Sequence, residues 1–97
     1  LQRIPRVFSL SQNYPNPFNA TTTIRYALSE ASKVELTTFD VLGQKVRTLV
    51  SEWQSAGVHR VVWDGTADDG RAVGSGVYLC SMNAGDFSAT RRMVLLK

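Results

Sequence analysis

The chain has 97 residues, of which 43% are hydrophobic, 9% aromatic and 20% charged, with a formal charge of +3, one cysteine and one histidine. A chain of this length buries roughly 60 to 65% of the surface its unfolded form exposes, enough for one core without metal or disulfide support. Cys80 has no partner for an internal disulfide, and the longest purely apolar run, Met93 to Leu96, is far short of the roughly 18 to 20 residues that cross a bilayer.

The opening Leu1-Gln2-Arg3-Ile4-Pro5-Arg6 lacks the basic start, apolar block and small-residue cleavage site of a signal peptide. It reads as an excised fragment, with residues 1–8 a linker from an upstream domain and residues 9–97 the domain itself; the C-terminus reads as natural. A short strand is predicted in Val7 to Ser11. Thr22 to Leu28 alternates Ile24, Tyr26 and Leu28 against Thr23, Arg25 and Ala27, the pattern of a half-buried antiparallel strand. Val34 to Phe39 begins in the same way, with Thr38 interrupting its apolar parity. A turn at Asp40 to Gln44, where Gly43 supplies a positive φ, leads to Lys45 to Val50 and suggests a hairpin. Val58 to Trp63 places His59, Val61 and Trp63 on one face and stops at Asp64-Gly65. Turn signals at Asp68-Asp69-Gly70 and Gly74-Ser75-Gly76 precede a strand over Val77 to Met82, and a last hairpin turns near Asn83 to Asp86. Phe87 to Lys97 closes the chain with imperfect alternation, which predicts a bulge or burial on both faces. About seven strands at this spacing, with no helical periodicity, predict an all-β, two-sheet antiparallel sandwich.

The chemistry-bearing residues are sparse. Asn13-Tyr14-Pro15-Asn16-Pro17-Phe18-Asn19 is a stiff connector in which Tyr14 and Phe18 read as aromatic anchors. Asp64, Asp68 and Asp69 raise the question of calcium: the spacing argues against an EF-hand, since counting from Asp64 the sixth position is Asp69 instead of glycine and the twelfth is Ser75 instead of glutamate, while a calcium site of another kind stays open. Turn-forming aspartates are the simpler reading, and no metal or cofactor is assigned. The sole base candidate, His59, shares the parity of Val61 and Trp63 and reads as a rim-of-core residue, so no enzymatic activity is assigned. The basic residues are scattered apart from Arg91, Arg92 and Lys97, which argues against a nucleic-acid stripe. Trp53 falls in the polar stretch Ser51 to Ser55, read as a loop, where an exposed ring could stack on sugars or pack on the sandwich edge.

Taken together, the strings are more specific than any one of them. Asn13 to Asn19, Thr22-Thr23-Ile24-Arg25-Tyr26, Phe39-Asp40-Val41-Leu42-Gly43, Gly57-Val58-His59 through Trp63-Asp64-Gly65, Ser75-Gly76-Val77-Tyr78 and Arg91-Arg92-Met93-Val94-Leu95-Leu96-Lys97 follow in that order. Over about residues 9 to 97 the chain resembles the C-terminal sorting domain of the bacterial type IX secretion system, in the form called the type A or Por secretion tail. Its central part is similar to the immunoglobulin-like domain of flagellar hook-capping proteins. The resemblance implies an immunoglobulin-like sandwich at the end of a secreted passenger, often a hydrolase or adhesin, that reaches the medium or cell surface through the periplasm and outer membrane.

By the same resemblance, the partners are the outer-membrane export machinery and a sortase-like surface peptidase, which cuts near Leu1 to Ser9 and can join the passenger to a lipopolysaccharide anchor. Recognition falls to Ser75, Gly76, Val77 and Tyr78 and to Arg91, Arg92, Met93, Val94, Leu95, Leu96 and Lys97. Ala20 departs from the family pattern, which has a frequent proline there, and Thr38 and Cys80 stand at usually apolar or aromatic positions. A terminal apolar strand either completes a sheet or offers its backbone to a receptor for strand addition. The alternative function is an accessory immunoglobulin-like module that binds carbohydrate or spaces domains.

Overall fold

Inward-facing side chains recur at every second residue through Ser32–Asp40 and Gly76–Ala84, and this period builds the core. The computed structural model describes residues 4–97; Leu1 to Arg3, which belong to the assigned linker and to the stretch implied for cleavage, lie outside the described residues. The strands are β1 (Ser9–Leu10), β2 (Thr22–Leu28), β3 (Ser32–Asp40), β4 (Lys45–Gln54), β5 (Gly57–Trp63), β6 (Gly76–Ala84) and β7 (Phe87–Leu95). They form a three-stranded sheet in the order β1-β2-β5 and a four-stranded sheet in the order β4-β3-β6-β7, with every pair antiparallel. The predicted all-β sandwich is therefore the observed architecture. No helix among the described residues is long and apolar enough to cross a membrane.

Ile24, Tyr26 and Leu28 face Val34, Leu36, Cys80, Met82, Met93 and Leu95 across the core, all essentially inaccessible to solvent. The hairpins fall where the turn residues place them. Asp40 accepts the amides of Leu42 and Gln44 through Oδ1, and Gly43 closes the turn at φ +83°, a conformation that side-chain-bearing residues resist.

Several boundaries differ from the sequence expectation for physical reasons. β1 is only two residues long, although Ser11 continues the pairing by donating its amide to the Arg25 carbonyl. Phe8, inside the assigned linker, stacks on Phe87 with ring centroids 5.7 Å apart and so packs against the domain. Thr38 does not break the inward parity of β3. It is fully buried, and its hydroxyl donates to the Arg47 carbonyl at 3.4 Å. Of the two alternatives for the last strand, the bulge is absent, since β6 and β7 pair without a slip from Gly76↔Leu95 to Ala84↔Phe87; instead Val94, on the face opposite the buried Met93 and Leu95, is itself half-buried. The register shifts lie instead between β3 and β4. β4 runs on through Trp53, which corrects the loop reading: this half of the strand is an exposed sheet edge, wet on both faces, so its alternation is lost.

Ala20 sits at φ +76°, a left-handed conformation closed to the proline common there in the resembling family. Ala20→Gly is expected to raise the unfolding free energy by up to about 1 kcal/mol, measurable by urea denaturation. Burial pushes the Cys80 thiol from 9.0 up to about 12, so the native protein should resist thiol reagents that label it fully in denaturant. The folded state then holds a proton that the unfolded thiol releases, and stability should fall as pH rises from about 9 toward 12. Cys80→Ala should make that decline shallower, the remainder coming from Tyr26 and Tyr78, whose phenols burial also raises.

Candidate functional site

Antiparallel register gathers the starts of β2, β4 and β6 and the ends of β3, β5 and β7 at one end of the sandwich. The long axis of the molecule measures 40 Å, and the sequence strings meet at this pole. Asp40 and Gly43 occupy the β3–β4 turn, Trp63 to Gly65 leave β5, Ser75 to Tyr78 enter β6, and Arg91 to Lys97 end there. The opposite pole holds the turns at Ser29 to Ala31, Ser55 to Ala56 and Gly85 to Asp86.

Trp63 is the centre of the assembled pole. Its fully buried indole lies 5.7 Å from the Phe18 ring centroid and 5.4 Å from that of Tyr78, the latter edge-on, a favourable aromatic arrangement. The indole Nε1 donates to the Thr66 carbonyl at 3.0 Å, and the Tyr78 hydroxyl donates to the Gly74 carbonyl at 2.7 Å. Gly65, at φ +72°, turns the chain beside Leu95. Phe18 is an anchor, as the sequence suggests. Tyr14 is not: its ring is 80% exposed, because the backbone of Tyr14 pairs with Thr23 and turns the side chain outward.

The connector from Gln12 to Phe18 forms a strap along the free edge of β7. Asn13 is buried and donates to Thr22 Oγ1 at 3.0 Å and the Pro15 carbonyl at 3.2 Å, and the Tyr14–Pro15 and Asn16–Pro17 bonds are cis. Gln12 Nε2 reaches the Arg92 carbonyl at 2.7 Å, and Val94 donates its amide to Asn16 Oδ1 at 2.9 Å. The Phe18 amide donates to the Val94 carbonyl and the Leu96 amide to the Phe18 carbonyl, both at 2.9 Å. Ser75 Oγ accepts the Lys97 amide at 2.9 Å. The terminal strand thus completes a sheet on one side and is strapped on the other over Arg92 to Leu96. The Ser88 to Thr90 half of that edge carries no strap bond among the described residues.

The implied recognition residues consequently differ in access. Met93 and Leu95 are core, Tyr78 is 8% exposed, and Val77 and Val94 are half-buried. Arg91 donates its Nε to the Leu10 carbonyl at 2.8 Å, closing the seam between the two sheets. Ser75, Arg92, Leu96 and Lys97 face solvent.

The carboxylates near this pole are separately engaged. Asp64 accepts the Thr66 amide and hydroxyl, and the hydroxyl bond holds its carboxyl below the usual range. Asp68 accepts the Thr48 amide at 3.0 Å and, through its own amide, bonds the Val46 carbonyl, so this loop covers the start of the β4 edge. Asp69 accepts the Arg71 amide. No group of three or more His, Cys, Asp or Glu side chains is placed to hold a metal ion among the described residues. His59 stacks on Tyr26 at 5.4 Å, its Nε2 2.8 Å from the Ser55 carbonyl, the rim-of-core position expected. Tyr26 also bonds Gln54, and burial raises its phenol above the usual range. The strap and the seam contact of Arg91 were beyond sequence reasoning; the only signal for the strap is an asparagine, Asn16, between two prolines in a string otherwise read as a connector.

A family model described as the FlgD Ig-like domain matches residues 15–87. The chain belongs to the FlgD Ig-like domain family, and its sandwich is immunoglobulin-like. No curated protein matches its sequence. Among solved structures, PorZ, an essential bacterial surface component of the type IX secretion system of Porphyromonas gingivalis, is similar with a TM-score of 0.58 and 24% identity, over 93% of this chain and 11% of that one. Dimeric latent PorU from the same organism is similar with a TM-score of 0.66 and 20% identity, over 87% of this chain and 9% of that one. The chain spans about a tenth of the length of these structures, and at such identity the likeness is one of fold.

Trp63→Ala is expected to cost about 3 to 5 kcal/mol in urea denaturation, as for other large core aromatics. Asn16→Ala should speed hydrogen exchange at the Val94 amide while leaving the Leu79 amide, deeper in the same sheet, at its native rate.

Proposed function

We propose that this FlgD Ig-like domain is a non-catalytic C-terminal sorting module that directs a passenger across the outer membrane by type IX secretion, to the medium or the cell surface. The observation that carries this reading is the convergence of the strings that resemble a sorting domain on one pole, together with the last residues of the chain. That pole presents Ser75, Arg92, Leu96 and Lys97 to solvent on a rigid base. The similarity in fold to PorZ, a surface component of that system, supports the same assignment. In this role the partners are the outer-membrane export machinery and a sortase-like surface peptidase acting near the Leu1 to Ser9 segment, with the passenger upstream.

The mechanism follows from access. A receptor reads a folded object, because Met93 and Leu95 are spent on the core and the strap occupies the adjoining edge. Recognition therefore rests on the exposed side chains Arg92, Leu96 and Lys97, and the two cations also discourage self-association of the edge. Strand addition to Arg92–Leu96 would first require the Asn16–Phe18 strap to leave.

Removing Arg91 to Lys97 would also delete core, so the informative variant is Arg92→Ala with Leu96→Ala and Lys97→Ala. In a host with the export system, a reporter carrying a signal peptide and this domain should reach the medium, and the triple variant should accumulate in the periplasm with an unchanged thermal midpoint. Secretion of the variant at the parent level would overturn the proposal.

A further inference from the structure

The outer face of the three-stranded sheet carries a charge arrangement that the fold itself does not need. Arg25 on β2 and Arg60 on β5 are direct cross-strand partners, and both are exposed. The Arg25 carbonyl accepts the Ser11 amide, and Thr23 exchanges both backbone bonds with Tyr14. The polar backbone groups of these alternate residues thus point away from β5, which makes Arg25↔Arg60 and Thr23↔Val62 non-hydrogen-bonded pairs, the type whose side chains approach most closely. Like charges at such a site destabilise a sheet.

Nothing nearby offsets them. Among the described residues the ion pairs are Lys33–Glu35, Lys45–Asp68 and Arg71–Asp69, none on this face. The next carboxylate along β5, Asp64, stands four residues past Arg60, about 13 Å at strand rise, and Thr66 occupies its oxygen. Guanidinium pairs of this kind are suited to grip a carboxylate through parallel hydrogen bonds.

Around the pair the face is flat and rich in hydroxyls. Ser11 and Thr23 are half-buried beside it; Tyr14, 80% exposed, and Val62, 58% exposed, flank Thr23 from opposite sides. Tyr14 lies opposite Thr23, two residues from Arg25 and hence about 7 Å along the sheet. The backbone of β2 is paired on both sides here, so a peptide could not add as a strand at its centre. A ring to stack on, hydroxyls to bond and a carboxylate-sized positive fork at neighbouring positions fit a chain of acidic sugars lying across the strands.

We propose that this face binds an acidic polysaccharide, with a uronate carboxylate seated between Arg25 and Arg60 and an adjoining sugar ring on Tyr14. The inference does not depend on the sorting role, which concerns the pole bearing Arg92, Leu96 and Lys97. The test is calorimetric titration of the folded domain with hexagalacturonate, neutral maltohexaose and poly-L-glutamate. Hexagalacturonate should bind, and Arg25→Gln or Arg60→Gln should each weaken it by about tenfold or more, the loss of a charge-assisted contact. Lys33→Gln, on the other sheet, should leave affinity unchanged, and Tyr14→Ala should weaken binding without altering its salt dependence. The proposal is overturned if hexagalacturonate does not bind, if the arginine variants bind it as the parent does, or if maltohexaose binds equally. Equal, arginine-dependent binding of poly-L-glutamate would also overturn it, in favour of an acidic peptide ligand.

Discussion

The burial of Trp63 between Phe18 and Tyr78 is the contact on which the rest of the molecule depends. Each of these aromatics comes from a different part of the chain: a connector, the end of β5 and the start of β6. An indole of this size buries more apolar area than most residues in the domain can offer, so its position fixes where the connector must run. Once Phe18 is pinned, Asn16 and Phe18 lie along β7, and their hydrogen bonds to Val94 and Leu96 follow from geometry. The packing of one ring thereby decides the state of a sheet edge.

That chain of dependence explains what was legible in the sequence. Strands with one wet and one dry face, such as β2 and β5, show their period directly, and Gly43 marks its turn because few residues tolerate its φ. Thr38 misleads a count of apolar residues, since its hydroxyl finds a carbonyl only after β4 is in place. Trp53 misleads in the opposite sense, because an edge strand exposed on both faces loses its alternation. The contacts of Asn16 with Val94 and of Arg91 with Leu10 join residues about eighty positions apart, and no local pattern announces them. For the candidate site, the strings were visible one by one, whereas their meeting at a single pole and the burial of Met93 and Leu95 required the register.

The ion pairs among the described residues all lie off the outer face of the three-stranded sheet. The four-stranded sheet balances Lys33 with Glu35 on its outer face, and its flanking loop balances Lys45 with Asp68. The three-stranded sheet leaves Arg25 and Arg60 without such partners among the described residues. A domain with a formal charge of +3 has a weak overall field, so any electrostatic selectivity arises from local placement more than from net charge.

The strap has a mechanical consequence. The register of β1 with β2 carries the chain from the far pole toward the Trp63 pole, and β7 runs in the same direction, with Phe18 and Leu95 bridged in parallel. Tension applied between the upstream segment and the last residues therefore acts along these strands, not across them. The bonds from Gln12, Asn16 and Phe18 to β7 are loaded together in shear, so they must fail as a group, whereas a hairpin pulled from its open end gives way one bond at a time. A domain wired in this way resists being drawn out by its ends.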